Sequence, residues 1–147
     1  MTIPISSSPV EAKKQAFALL QQNRLTEARD LYARLCNARD ADAETHYMLG
    51  VVNGKLKRFD EAAGCFRKAI ALQPQMVMAH YGLGASCKAQ GKLSEAADSL
   101  RQVIHLKPDL ADAHFELGGV LYSLGNHNEA KEAFERVLRL KPIAEAH

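Results

Sequence analysis

Apolar positions along this chain recur three and four residues apart, and the whole arrangement then returns farther on. Tyr81, Leu83, Gly84 and Cys87 mark one stripe, and Ala96, Leu100 and Val103 mark the next. A stripe of this period predicts an amphipathic helix, not a strand. Two such helices of about 12–15 residues fit between successive returns of the pattern.

The return is regular. His46-Tyr47-Met48-Leu49-Gly50 comes back as His80-Tyr81-Gly82-Leu83-Gly84 and as His114-Phe115-Glu116-Leu117-Gly118, 34 positions on each time. Other columns keep the same shift. Ala28, Ala62, Ala96 and Ala130 align, as do Glu27, Glu61, Glu95 and Glu129. Tyr32, Phe66, Leu100 and Phe134 form a large apolar column, and Leu35, Ala69, Val103 and Val137 form another. Pro74, Pro108 and Pro142 each follow a Leu-x pair, while the first block has Asp40 where proline would fall. The period divides the chain into a flexible tail at 1–8 and four blocks at 9–42, 43–76, 77–110 and 111–144.

Each column has a physical reason. Gly91 and Gly125 fall between the two helices of a block, where a left-handed residue ends the first helix without steric cost. Thr26, Asp60, Ser94 and Asn128 follow and are expected to cap the second helix. The glutamates after them put negative charge at the positive end of the helix dipole. Prolines close the blocks, since one inside a helix costs about 3 kcal/mol. The small column Ala16, Gly50, Gly84 and Gly118 lets paired helices approach closely.

The Leu-Gly … Gly … Glu-Ala … Phe … Leu-x-Pro pattern of these residues resembles the tetratricopeptide repeat. His46, His80 and His114 stand where that family often has tryptophan. Asn53 and Lys57 replace an apolar residue and a glycine, and Asn53 is expected to loosen its hairpin locally. The resemblance implies an all-α fold, a right-handed superhelical solenoid of antiparallel helix pairs. It also implies that the first helix of each pair lines a concave groove holding a peptide or partner helix.

The groove residues are those of the first helices that the packing columns leave over: Lys13, Phe17 and Gln21; Tyr47, Val51 and Lys55; Tyr81, Ala85 and Lys88; Phe115, Gly119 and Tyr122. Tyr47, Tyr81 and Phe115 form an aromatic column, with the small Ala85 and Gly119 one turn on. Two readings of that column stay open. Aromatic anchors carry much of the energy of protein interfaces; aromatic residues also pack between neighbouring helices. Lys55 and Lys88 edge the groove, which suits a partly apolar partner with some acidic character. Two specialised forms of the family fit poorly. A carboxylate clamp would need asparagines where Phe17 and Met48 stand. An asparagine ladder would need them at Met48, Gly82 and Glu116.

Composition excludes more than it adds. The chain has 147 residues, 47% hydrophobic and 24% charged, with a net charge of +2. That charge is too small, and too evenly spread, to favour nucleic acid or an anionic membrane. No run approaches the ~18 apolar residues of a membrane span, and Met1–Pro9 lacks the features of a secretory signal. The three cysteines, Cys36, Cys65 and Cys87, have no CxxC pair and read as free thiols in a reducing cytoplasm. His46, His80 and His114 belong to successive hairpins about 10 Å apart, too far to share a zinc ion with bonds of ~2 Å. No nucleophile triad, phosphate loop or HExxH motif is present. The expectation is a protein without catalytic site, metal or cofactor.

The C-terminal end changes the picture once more. Ile143-Ala144-Glu145-Ala146-His147 resembles the opening of another block, so 145–147 reads as the start of a further repeat. Phe134 and Leu138 of the last helix would be left partly uncovered, and exposed apolar patches mark interaction sites or missing structure. Three functions fit: a scaffold or adaptor gripping a partner segment, the substrate-recruiting repeats of a larger glycosyl- or sulfotransferase, or a solenoid that self-associates through its open end.

Overall fold

The computed structural model describes residues 8–141. The tail expected at 1–8, apart from Ser8, lies outside those residues, as do Pro142 and the further-repeat opening at 145–147. Eight helices fill the described chain: α1 (Pro9–Gln21), α2 (Leu25–Cys36), α3 (Ala43–Lys55), α4 (Phe59–Leu72), α5 (Val77–Ala89), α6 (Leu93–Leu106), α7 (Ala111–Ser123) and α8 (His127–Leu140). No strand occurs among the described residues. None of these helices is long and apolar enough to cross a membrane.

The turn inside each helix pair is built four times in one way. Asn23, Lys57, Gly91 and Gly125 all have positive φ, between +61° and +87°. In each case the amide of the next residue donates to the carbonyl five residues back. Examples are Arg58 to Asn53 at 2.8 Å and Asn126 to Leu121 at 2.9 Å. The left-handed residue donates to the carbonyl three back, as Lys57 does to Gly54 at 3.0 Å. Two orphan carbonyls of the first helix are thereby satisfied. Asn tolerates this backbone, but Lys57 carries a Cβ where glycine has none.

The residue after the left-handed one is also the N-cap of the second helix, and this corrects the expected caps. Arg24, Arg58, Lys92 and Asn126 occupy the cap position with no side-chain cap bond. Thr26, Asp60, Ser94 and Asn128 lie inside the first turn of the helix instead. The tight turn leaves no residue to spare, so the helix begins earlier than the side-chain pattern suggests. The glutamates do sit in the first turn, and Arg24 binds Glu27 through two bonds of 2.6 and 2.8 Å.

Helix pairs close on the small column. A Cβ added to Gly50 would lie 2.7 Å from the Phe66 ring, and one on Gly118 would lie 2.7 Å from Phe134. At Gly84 the nearest atom, on Leu100, would be 3.3 Å away. Ala16, the first member, is fully buried in a cluster with Tyr32. The ends of the second helices follow the proline rule: Gln73 and Lys107, before Pro74 and Pro108, are extended (ψ 86° and 81°) and close α4 and α6.

The chain divides into two compact units within α5, between Ala79 and His80. In the first, a core of Ala12, Ala16, Leu19, Ala28, Leu31, Tyr32, Leu49 and Val52 joins α1, α2 and α3. In the second, Cys87, Leu100, Leu117, Val120, Leu121 and Ala130 join α5, α6, α7 and α8. Asn53 occupies a core column whose other members are Leu19, Cys87 and Leu121. It is 3% exposed; its amide nitrogen reaches only Cys65 Sγ at 3.7 Å, and Oδ1 has no hydrogen-bond partner among the described residues.

Four substitutions test the packing of the helix pairs and their turns. Replacing a helical glycine by alanine gains up to about 1 kcal/mol of helix propensity, whereas overpacking costs about 1–3 kcal/mol. Gly50→Ala and Gly118→Ala should therefore destabilise by about 1 kcal/mol or more in urea unfolding, while Gly84→Ala, facing a flexible leucine, should be neutral or stabilising. Lys57→Gly should stabilise by about 0.5–1 kcal/mol by removing left-handed strain; a loss of stability would contradict the turn assignment.

Candidate interaction surface

The first helices carry most of the exposed apolar side chains. Val10 and Phe17 of α1, Met78 of α5, and Phe115 and Tyr122 of α7 are all exposed. Second helices expose only Leu72 and Leu138 as large hydrophobics among the described residues. Their outer faces carry charge instead, such as Asp98, Arg101, Glu132 and Arg136.

In the first unit, Lys13 and Phe17 of α1 border a pocket of about 110 Å³ with Glu44, Thr45 and Met48 of α3 and Tyr32 of α2. Burial pushes the Tyr32 hydroxyl up to about 12, so it stays protonated. Tyr47 turns toward its own hairpin. Its ring lies 5.7 Å from Phe66, and it packs with Ile70 and Met76 against Ala43, Ala69 and Ala79. Val51 is half-buried, while Lys55 and Gln21 are exposed.

In the second unit, Phe115 takes the same position over Phe134, edge to face at 5.8 Å. Tyr122 meets His127 at 4.7 Å between centroids. Tyr81 is half-buried, and burial, with Glu116 and Asp112 nearby, raises its hydroxyl pKa. Ala85 is exposed, and nothing stands within 4 Å of where a side chain on Gly119 would begin. The surface thus has room beside its rings.

Charge differs from the sequence expectation. Lys13 binds Asp42 at 2.8 Å and Lys88 binds Glu116 at 3.0 Å. Lys141 binds Asp112 at 3.3 Å. Two of the three lysines assigned to the groove are thus held by carboxylates of the next first helix or its cap. Those carboxylates were missed because they lie 28 or 29 residues downstream, a separation that places them beside the lysine only once the helix pairs are stacked.

Asp42 is the most perturbed acid. The ammonium of Lys13 and the Thr45 hydroxyl and amide, all donating to its carboxylate, hold it down at about 2. It is also the N-cap of α3. The thiols lie at the opposite extreme: burial pushes Cys36 up to about 12 and raises Cys65, which disfavours the reactive thiolate. His114 is buried and its Nε2 lies 2.8 Å from the Pro108 carbonyl oxygen, a packing role. Among the described residues no group of three or more His, Cys, Asp or Glu could hold a metal ion.

Short antiparallel helix pairs, small-to-large columns and apolar first-helix faces define an α-helical repeat scaffold of the kind that binds proteins. Family profiles described as tetratricopeptide repeat match residues 43–76 and 111–143, and one described as TPR repeat matches 84–125. The chain belongs to the tetratricopeptide repeat family, whose members serve as protein-interaction scaffolds. Solved structures agree in fold. The crystal structure of MamA is 21% identical with a TM-score of 0.89, covering 95% of this chain and 82% of that one. A fragment of MamA from Desulfovibrio magneticus RS-1 is 21% identical with a TM-score of 0.87, covering 95% and 78%. YrrB, described as a TPR protein with an unusual peptide-binding site, is 22% identical with a TM-score of 0.85, covering 95% and 72%. No curated protein sequence matches at a significant level.

The Lys13–Asp42 pair yields a pH prediction. The carboxyl is held below its ordinary value of about 3.9, so its contribution is fully present above pH ~4 and is lost as pH falls toward ~2. Asp42 is half exposed, which limits the ion pair to a fraction of its Coulomb energy. Asp42→Ala should cost about 1 kcal/mol at pH 7, chiefly the cap, and Asp42→Asn less. The stability difference between the parent and Asp42→Asn should shrink as pH falls from ~4 toward ~2, while Asp42→Ala stays less stable through loss of the cap.

Proposed function

We propose that this chain is an adaptor that holds a segment of a partner protein against the exposed faces of its first helices. The observation that carries this reading is the segregation of exposed apolar side chains onto those helices, with Phe17, Phe115 and Tyr122 foremost. The partner segment is mainly apolar, since Lys13 and Lys88 are already neutralised; Lys55 supplies the place for an acidic side chain. Aromatic rings with open space beside them suit leucine-sized or aromatic anchors. The peptide-binding site described for YrrB is consistent with such a use of the fold.

The second unit is the place to test it. Peptides selected from a displayed random library against the whole chain should be rich in large apolar residues. Their affinity should fall about 30-fold or more in the Tyr81→Ala/Phe115→Ala variant, with helicity by circular dichroism retained. Affinity unchanged in that variant would remove these rings from the site.

A further inference from the structure

The repeats themselves supply a control for every exposed position, because each residue can be compared with its counterparts one period away. Tyr32 and Leu100 on α2 and α6 are 3% and 2% exposed. Each shares a core cluster with a valine of the following first helix, Val52 and Val120, which are almost fully buried. Clusters of this composition, with a large second-helix residue and a valine of the following first helix, join one hairpin to the next within each unit.

Among the described residues both halves of that junction also occur without a counterpart against them. Phe134, the counterpart of Leu100, is only half-buried. Beside it Leu138 is 56% and Tyr122 61% exposed, and the three border a pocket of about 310 Å³ together with Ala130 and Lys131. At the other end Ala18, the counterpart of Val52 and Val120, is exposed, as are its neighbours Phe17 and Val10.

We infer that the α8 face of one copy receives the α1 face of a second copy, with Phe134 and Leu138 over Ala18 in the register of the internal junctions. Charge fixes the same register. Within the first unit Arg29 lies 3.9 Å from Glu61, one repeat on. The counterparts at the proposed junction are Lys131 and the second copy's Glu27. Lys131 makes no ion pair among the described residues. Glu27 stands at the start of α2 beside Arg24, as Glu61 stands beside Arg58. A contact between two different faces is heterologous, so it leaves a free face at each end and adds further copies.

Sedimentation velocity across a concentration series reads this directly. The chain should pass from monomer to dimer and longer species as concentration rises. Leu138→Glu and Ala18→Glu each alter an exposed helix position, and each should weaken association about tenfold or more. Mixing the two variants should restore one intact junction and give a species that stops at the dimer. Lys131→Glu should weaken association, and Glu27→Lys in the other copy should recover it. A strict monomer at high concentration overturns the proposal. So does association that survives Leu138→Glu, or a mixture of the two variants that fails to dimerise. Association that appears only after residues 142–147 are deleted also overturns it, because the tail then occupies the face.

Discussion

Two of the four hairpins depend on a bare patch of backbone in the first helix. Gly50 and Gly118 sit so close beneath the rings of Phe66 and Phe134 that a single methyl group would have to displace them. This contact sets the separation of the two helices, and the separation sets which side chains are buried. With a large side chain filling the centre, the alanines Ala62, Ala96 and Ala130 complete the interface at almost no exposure. A buried aromatic or leucine contributes on the order of 1.5–3 kcal/mol, more than any ion pair on this surface supplies. Stability in such an array accrues hairpin by hairpin and junction by junction.

What remains outside the packing is correspondingly regular. First helices keep most of the exposed apolar side chains, second helices keep charges, and Lys13 and Lys88 are tied to carboxylates 29 and 28 residues downstream. The aromatic column is packed from behind and partly open in front. Tyr47 packs tilted against Phe66 and Phe115 edge-on against Phe134, yet Phe115 keeps most of its surface free. A ring held from behind loses little freedom on binding, which suits it to an anchor role.

Much of the fold was legible because repetition multiplies weak signals. One Leu-Gly pair says little, but four aligned columns at one shift specify helix pairs and their closest approach. The capping positions were misread at Thr26, Asp60, Ser94 and Asn128, since side-chain type favoured them while the left-handed turn starts the helix sooner. The surface was legible only in part. Periodicity picks out which face of a helix is left over, but the neutralisation of Lys13 and Lys88 arises from residues that meet only through stacking. Asn53 illustrates the same limit: its burial follows from its column, whereas its unpaired oxygen follows from what surrounds it.

The glycine–ring contact is tested most directly by a double-mutant cycle on Gly118→Ala and Phe134→Leu, read by urea unfolding. Leucine already faces glycine in the Gly84–Leu100 pair, so it should relieve the methyl group in the double variant. The expected result is a favourable coupling of about 1 kcal/mol or more between the two substitutions. Additivity within about 0.5 kcal/mol would contradict the claim that this contact sets the hairpin.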